Sequence, residues 1–279
     1  MSFLLESFQA PFMQRALIAL LLIGVLAGTT GVLVVLRRLA FLADALTHTI
    51  FPGIVIAFLT GHSLLLGALA FGLLSALLLS GLTTRRGVGQ DAALAILLTS
   101  FFAVGVALVS RSQSYTADLA GLLFGRVLAI QPADLVQMAV VAGVVLLTLA
   151  ALRKELLLRA FDPDGSAALG YRTAVLDLTL NLAVALVVVT AVKAVGTVLV
   201  IAMLVVPAAT ARLVTDRVAP MTAVSVALGA LAGWLGLAVS YQASIEWDLR
   251  LAAGATVVVL LVCFFLLALG GSVLTRRPR

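Results

Sequence analysis

Asp44 and His48 stand inside an otherwise apolar run, and their types and spacing suit chemistry. Four residues apart, they stack on one face of a helix. Counted from the Arg37–Arg38 pair at about 1.5 Å per residue, His48 lies roughly 16 Å in. That is near the middle of a hydrocarbon layer about 30 Å thick. Ionisable groups at such depth are costly and mark function or a specific partner. A carboxylate beside an imidazole suits a borderline divalent ion such as Zn²⁺, Mn²⁺ or Fe²⁺. The same pair would also serve as an Asp–His hydrogen bond locking two helices, and spacing alone does not separate these readings.

Pro52 and Gly53 follow at once. Proline at 52 removes the hydrogen bond to the His48 carbonyl and weakens the helix at that turn. In broken transporter helices, carbonyls freed this way line a cavity or bind a cation. A plain packing kink is the other reading. Pro207, within Leu-Val-Val-Pro-Ala-Ala-Thr-Ala at 204–211, marks a second kink among small residues that allow close helix approach, and packing is favoured there over ligation. Gly24, Gly28 and Gly31 make a small-residue packing face. His62 reads as a solvated turn residue, with a ligand role at the outer mouth as its alternative. Asp118, Glu246 and Asp248 are acids of the same outer face. Asp177 and Asn181, four apart, fit an interhelical hydrogen bond as well as a transport pathway. The chain has no G-x-x-x-x-G-K-[ST] run, no Ser/His/Asp set, no H-E-x-x-H and no C-x-x-C, so it is not expected to hydrolyse nucleotide itself.

The elements that must hold these residues follow from composition. The chain is 63% hydrophobic and 11% charged, against about 45–50% and about 25% in an ordinary soluble domain. The apolar runs are long and lack the alternation of a membrane strand, so the expected fold is all-α, a polytopic transmembrane helical bundle. Spans are expected at about 14–36, 43–60, 63–82, 92–110, 132–152, 173–192, 194–212, 219–241 and 251–270. The 173–192 and 194–212 pair joins so tightly at Lys193 that one of them could be a broken or half helix, which would leave eight. Segment 119–130 is apolar but too short to span and reads as an interfacial or re-entrant helix. Residues 1–279 form a single transmembrane domain.

The net charge of +6 is no nucleic-acid signal, because the basic residues lie between apolar runs. With nine spans, Arg37, Arg38, Arg85, Arg86, Arg153, Lys154, Arg159, Arg172, Arg212, Arg217, Arg276, Arg277 and Arg279 fall on one side. Only Arg15, Arg111, Arg126, Lys193 and Arg250 fall on the other. The positive-inside rule places the first group in the cytoplasm, with the N-terminus outside and the C-terminus inside the cell membrane. The N-terminus shows no cleavable-signal pattern, since Glu6 and Gln9 interrupt its short amphipathic stretch. The lone Cys263 excludes an internal disulfide.

The run Arg-Arg-Leu-Ala-Phe-Leu-Ala-Asp-Ala-Leu-Thr-His-Thr-Ile-Phe-Pro-Gly at 37–53 resembles the signature of the metal-ion ABC transporter permeases, the zinc, manganese and iron importer group. Three further stretches fit the same family in order: 115–125, Phe-Asp-Pro-Asp-Gly-Ser-Ala-Ala-Leu-Gly at 161–170, and Val-Gly-Thr-Val-Leu-Val-Ile-Ala-Met-Leu-Val-Val-Pro-Ala-Ala-Thr-Ala at 195–211. The resemblance implies a metal site at Asp44 and His48, with the divalent ion as transported substrate rather than resident cofactor. It implies that Asp162, Pro163, Asp164, Gly165, Ala168 and Gly170, flanked by Arg159 and Arg172, form the coupling helix that docks on a separate cytoplasmic ABC ATPase. It implies a second permease copy and an extracytoplasmic solute-binding protein. Pro52, Gly53 and Pro207 would be deformable points of the moving spans. One departure stands out: Leu-Ala-Ala-Gly-Ala at 251–255 lacks the family's proline before glycine. A permease for a chelated metal or cobalamin-like ligand, an intramembrane enzyme and an ATP-independent carrier are the alternative functions.

Overall fold

The computed structural model describes residues 8–83, 89–110, 125, 127–246 and 251–275. In hydrocarbon every backbone N–H and C=O must find a partner within its own segment, so the apolar runs become helices. They are α1 (Pro11–Leu36), α2 (Ala40–Thr49), α3 (Phe51–Leu59), α4 (Leu64–Thr83), α5 (Gln90–Val109), α6 (Pro132–Ala151), α7 (Arg153–Phe161), α8 (Pro163–Ala168), α9 (Thr173–Val214), α10 (Val218–Glu246) and α11 (Ala253–Thr275). Among the described residues there is no strand. Among the described residues, nine helical stretches are long and apolar enough to cross a membrane, counting α2 with α3 as one and α9 as two. Their bounds fall within a few residues of the expected spans.

The centre of the bundle is α1, the α2–α3 pair and both halves of α9; α4, α5, α6 and α11 are peripheral and mostly unburied. Peripheral helices carry Leu66, Val136, Leu147 and Leu267 outward, as expected where lipid rather than water is the neighbour. Along α1 the small-residue face packs as its spacing predicts. A Cβ on Gly24 or Gly28 would press on the backbone of Gly229–Ala230 or Val226 of α10. Ser225 Oγ donates to the Gly28 carbonyl at 3.0 Å.

A straight α9 would be about 63 Å long, twice the hydrocarbon thickness. It is not straight, because Gly196 departs from helical geometry at φ 80° and ψ 165°. Val35 and Leu36, at the end of α1, pack with Ala208 and Ala211, while the next residue, Arg37, pairs with Asp177. Both ends of α9 therefore lie on the same side of the bundle, and the chain reverses at Gly196. Gly196 leaves residues 173–195 before it and 197–214 after it, each long enough to cross, so neither is a half helix. Gly125 backs onto this reversal, since a Cβ there would strike the Val195–Gly196 backbone. Of the 119–130 segment only Gly125 and 127–130 are described, with Val127–Ala129 a single 3₁₀ turn; the remainder lies outside the described residues.

The reversal between α1 and α2 is also tight. Leu39 N–H donates to the Val34 carbonyl at 2.8 Å and Arg38 N–H to that of Val35 at 3.1 Å, the bond pair of a Schellman cap. The residue in the left-handed position is Arg38, at φ 57°, where glycine is usual. Arg38→Gly is expected to stabilise the protein by up to about 1 kcal/mol, and Arg38→Val to destabilise it by about as much. Thermal unfolding of the detergent-purified protein reads both; a lower melting temperature for Arg38→Gly would refute the strain.

Candidate functional site

The core face of α2 is made by Leu42, Ala43, Ala45, Leu46, Thr47 and Thr49. Asp44 and His48 point the other way, with side chains 38% and 37% exposed. Phe41 is exposed as well. His48 Nε2 stands 3.8 Å from Asp44 Oδ1, too far for a hydrogen bond. Both groups sit on one helix, so their pairing locks no two helices together. The His48 ring meets Phe102 of α5 edge to face at a centroid distance of 5.6 Å. Phe102 in turn lies 5.7 Å from Phe51. Phe51 fills the space over Gly105, where any Cβ would collide with its ring. Aromatic contacts thus hold the imidazole beside the carboxylate, with both side chains partly exposed.

The depth is smaller than the count from Arg37 suggests. Because the chain turns at Arg37–Leu39, the climb begins at Ala40, eight residues and about 12 Å before His48. Among the described residues no three His, Cys, Asp or Glu side chains gather as a metal cluster. The chain presents one imidazole and one carboxylate on an open face. An ionisable pair at this depth does not face lipid at low cost, so protein or a water-filled path must lie against it.

Immediately above, the helical hydrogen-bond ladder breaks between α2 and α3, although Ile50 itself keeps helical angles at φ −76° and ψ −16°. Pro52 occupies the first turn of α3, where its missing N–H costs least. Gly53 and Gly67 of α4 face each other so closely that a Cβ on either would overlap the other's carbonyl oxygen. A small apolar cavity of about 30 Å³ lies behind the break, lined by Ile50, Ile54, Leu64, Leu65, Ala68, Val189 and Val192. Pro207, by contrast, leaves α9 helical to Val214. Gly31 of α1 packs on the Leu204 carbonyl in the turn before it.

The 162–170 segment is a short helix with a cap at each end. Asp162 accepts from Gly165 N–H at 2.8 Å, and Pro163 takes the first helical position. Gly170, at φ 83°, ends it, with Tyr171 N–H donating to the Ser166 carbonyl at 3.2 Å. Asp164 and Ala168 are exposed and Ser166 is buried. Phe161 (62%), Leu169 (69%) and Tyr171 are exposed around it. This apolar cluster lies on the Arg37 side of the bundle, at the end of α9 that holds Asp177.

Asp177 makes interhelical hydrogen bonds, one of the two readings its position allowed. Its Oδ1 accepts from Arg37 Nη2, and Arg159 of α7 donates from Nε to Oδ1 at 3.1 Å and from Nη2 to Oδ2 at 2.9 Å. The Arg159 guanidinium is held above its ordinary pKa by its hydrogen bonds to Asp177. Spacing gave no sign of this cluster, whose members are 18 and 140 residues apart. The one available signal was an acid opening a span on the arginine-rich side. His62 is exposed and bonds through Nδ1 to Thr60 Oγ1 at 3.0 Å. Glu246 is exposed at the end of α10; Asp118 and Asp248 lie outside the described residues. In the stretch lacking the family proline, the Leu251 carbonyl accepts from Ser240 Oγ at 2.8 Å, and α11 begins at Ala253.

Comparison with known proteins agrees with this architecture. The family model described as the ABC 3 transport family matches residues 9–271. The manganese import system permease protein ScaB of Streptococcus parasanguinis is 37% identical over 260 residues, covering 93% of this chain and 90% of the relative. The manganese transport system membrane protein MntC of Listeria monocytogenes is 35% identical over 268 residues, covering 96% and 93%. Among solved structures, a chain of PsaBC from Streptococcus pneumoniae in complex with Fab superposes at a TM-score of 0.81 with 33% identity, covering 96% of this chain and 94% of that one. With a family match along nearly its whole length and relatives sharing more than a third of their aligned residues, this multi-pass membrane protein belongs to the ABC 3 transport family, the metal-ion ABC transporter permeases.

Proposed function

We propose that this chain is the single-domain permease subunit of an importer that carries a divalent transition metal ion, manganese foremost, into the cytoplasm. The observation that carries the reading is the outward-facing Asp44–His48 half-site on a broken span. Two copies related by a two-fold axis would bring two carboxylates and two imidazoles together. That mixed oxygen and nitrogen set suits Mn²⁺, Fe²⁺ or Zn²⁺, and manganese is what the names of the two relatives specify. The second copy also supplies what must cover the open face.

In this reading a solute-binding protein delivers the ion from outside. It exchanges hydration for Asp44 and His48, with the imidazole unprotonated. A separate ATPase drives the spans by gripping the 162–170 segment, whose exposed Phe161, Leu169 and Tyr171 form an apolar foothold. That side is taken as cytoplasmic because the described Arg37, Arg38, Arg153, Lys154, Arg159, Arg172, Arg212 and Arg217 belong to it. The N-terminus would then be outside and the C-terminus inside. The break before Pro52, the Gly53 contact and Pro207 are the points where the spans bend.

The test is uptake of radiolabelled manganese into proteoliposomes holding the permease, its ATPase subunit and its binding protein. Uptake is expected to require ATP and to be competed by free divalent manganese, iron or zinc. Uptake independent of ATP, or competed only by a metal chelate, would overturn the reading.

A further inference from the structure

Asp177 joins three elements that the proposed mechanism needs to move together. Arg159 leaves α7 three residues before Asp162, the cap of the segment offered to the ATPase. Arg37 ends α1, one residue before the strained Arg38 and three before α2, which bears Asp44 and His48. One carboxylate therefore ties the driven segment to the hinge of the ligand-bearing helix. The tie is not an ordinary surface ion pair. The side chains of Arg37, Arg159 and Asp177 are only 13%, 20% and 28% exposed, and Arg159 grips both carboxylate oxygens.

The charges at this joint do not close among themselves, with two guanidinium groups on one carboxylate. Arg37 Nη1 is buried without a hydrogen-bond partner among the described residues, and so is Glu155 Oε2 of α7. Helices α1 and α7 pack against each other. A surplus cation at the end of one and a surplus anion on the other provide a second pairing for the same two elements. A joint that switches between two arrangements needs such a second pairing.

We propose that Asp177 is the positioning residue that couples the ATPase-driven segment to the metal-bearing helix, holding Arg37 and Arg159 in one arrangement and releasing Arg37 toward Glu155 in the other. The inference rests on the reading of 162–170 as the docking segment. Its test uses the complete transporter in proteoliposomes, with ATP hydrolysis and manganese uptake measured on the same samples. For Asp177→Asn, hydrolysis is expected to stay close to wild type while manganese moved per ATP falls about tenfold. Asp177→Glu, which keeps the carboxylate, should restore most of that ratio. Arg159→Lys keeps the charge but loses the two-pronged bond, so a smaller fall in the ratio is expected; this variant decides the matter if Asp177→Asn does not assemble. An unchanged ratio overturns the proposal, as does a parallel loss of hydrolysis and uptake at normal assembly, which marks a purely structural tie. Wild-type uptake that persists with a hydrolysis-dead ATPase would instead overturn the parent reading.

Discussion

Alanine at Asp44 or at His48 is expected to lower manganese uptake by at least about 100-fold, the upper end of what loss of an outer-shell partner costs a metal site. In a two-copy site each substitution removes two ligands at once, so no intact ligand set remains. Folding should survive, because both side chains lie on the open face and their truncation leaves no buried cavity. Removing an ionisable group from an intramembrane position even favours the membrane-embedded state. The diagnostic pattern is therefore normal membrane abundance and normal co-purification with the ATPase, combined with lost uptake. Asp44→Glu tests geometry rather than charge, and an intermediate loss is expected. Wild-type uptake by either alanine variant at normal abundance would remove the site from this position. Phe102→Ala provides a control on orientation, since it releases the His48 ring from its edge-to-face contact without removing a ligand.

The second large effect is steric. Gly53→Ala and Gly67→Ala each place a methyl group on the facing carbonyl oxygen, which is backbone and does not swing aside. Overpacking of this kind costs about 1–3 kcal/mol, or roughly 2–10 °C of melting temperature for a chain of this size. Both substitutions load the same contact, so the double variant should lose less than the sum of the singles. Gly143→Ala is the control: a Cβ there has nothing within 4 Å, and helix propensity favours alanine. The functional loss should exceed the thermal one. Displacing α3 from α4 shifts the break at Ile50, two residues from His48. Equal melting temperatures for Gly53→Ala, Gly67→Ala and Gly143→Ala would show that the close approach is not what holds the broken span in place.

Much of this architecture is legible in the chain itself. Span bounds follow from apolar run length and from where arginines stop the runs, as at Arg37–Arg38 and Arg153–Lys154. Asp44 and His48 share a face because four residues make about one turn. Pro52 announces a break because it has no N–H to donate. The failures are just as specific. The interhelical hydrogen bond expected of Asp177 is present, but its partners at the end of α1 and on α7 are not legible, because periodicity carries information only along one element. Depth was overcounted for His48 because nothing in an Arg-Arg-Leu run announces a left-handed residue, and Arg38 adopts one. The mutual contact of Gly53 and Gly67 depends on how two spans cross, which composition does not determine. Pro207 lies inside a helical run that continues to Val214, one turn beyond the close contact of Gly31 with the Leu204 carbonyl, a contact that its own type and position do not announce.

The reversal at Gly196 also constrains how the protein is made. With a single non-helical residue between two full spans, there is no connecting loop on which the chain could pause during membrane insertion. The first half of α9 cannot settle across the bilayer while the second is still being synthesised unless its end later moves. The two are expected to enter together as one helical hairpin, with Gly196 leading. Lengthening the turn by a few flexible residues would uncouple the two insertion events, and glycosylation-site mapping of nascent chains would detect topologies that the native turn forbids.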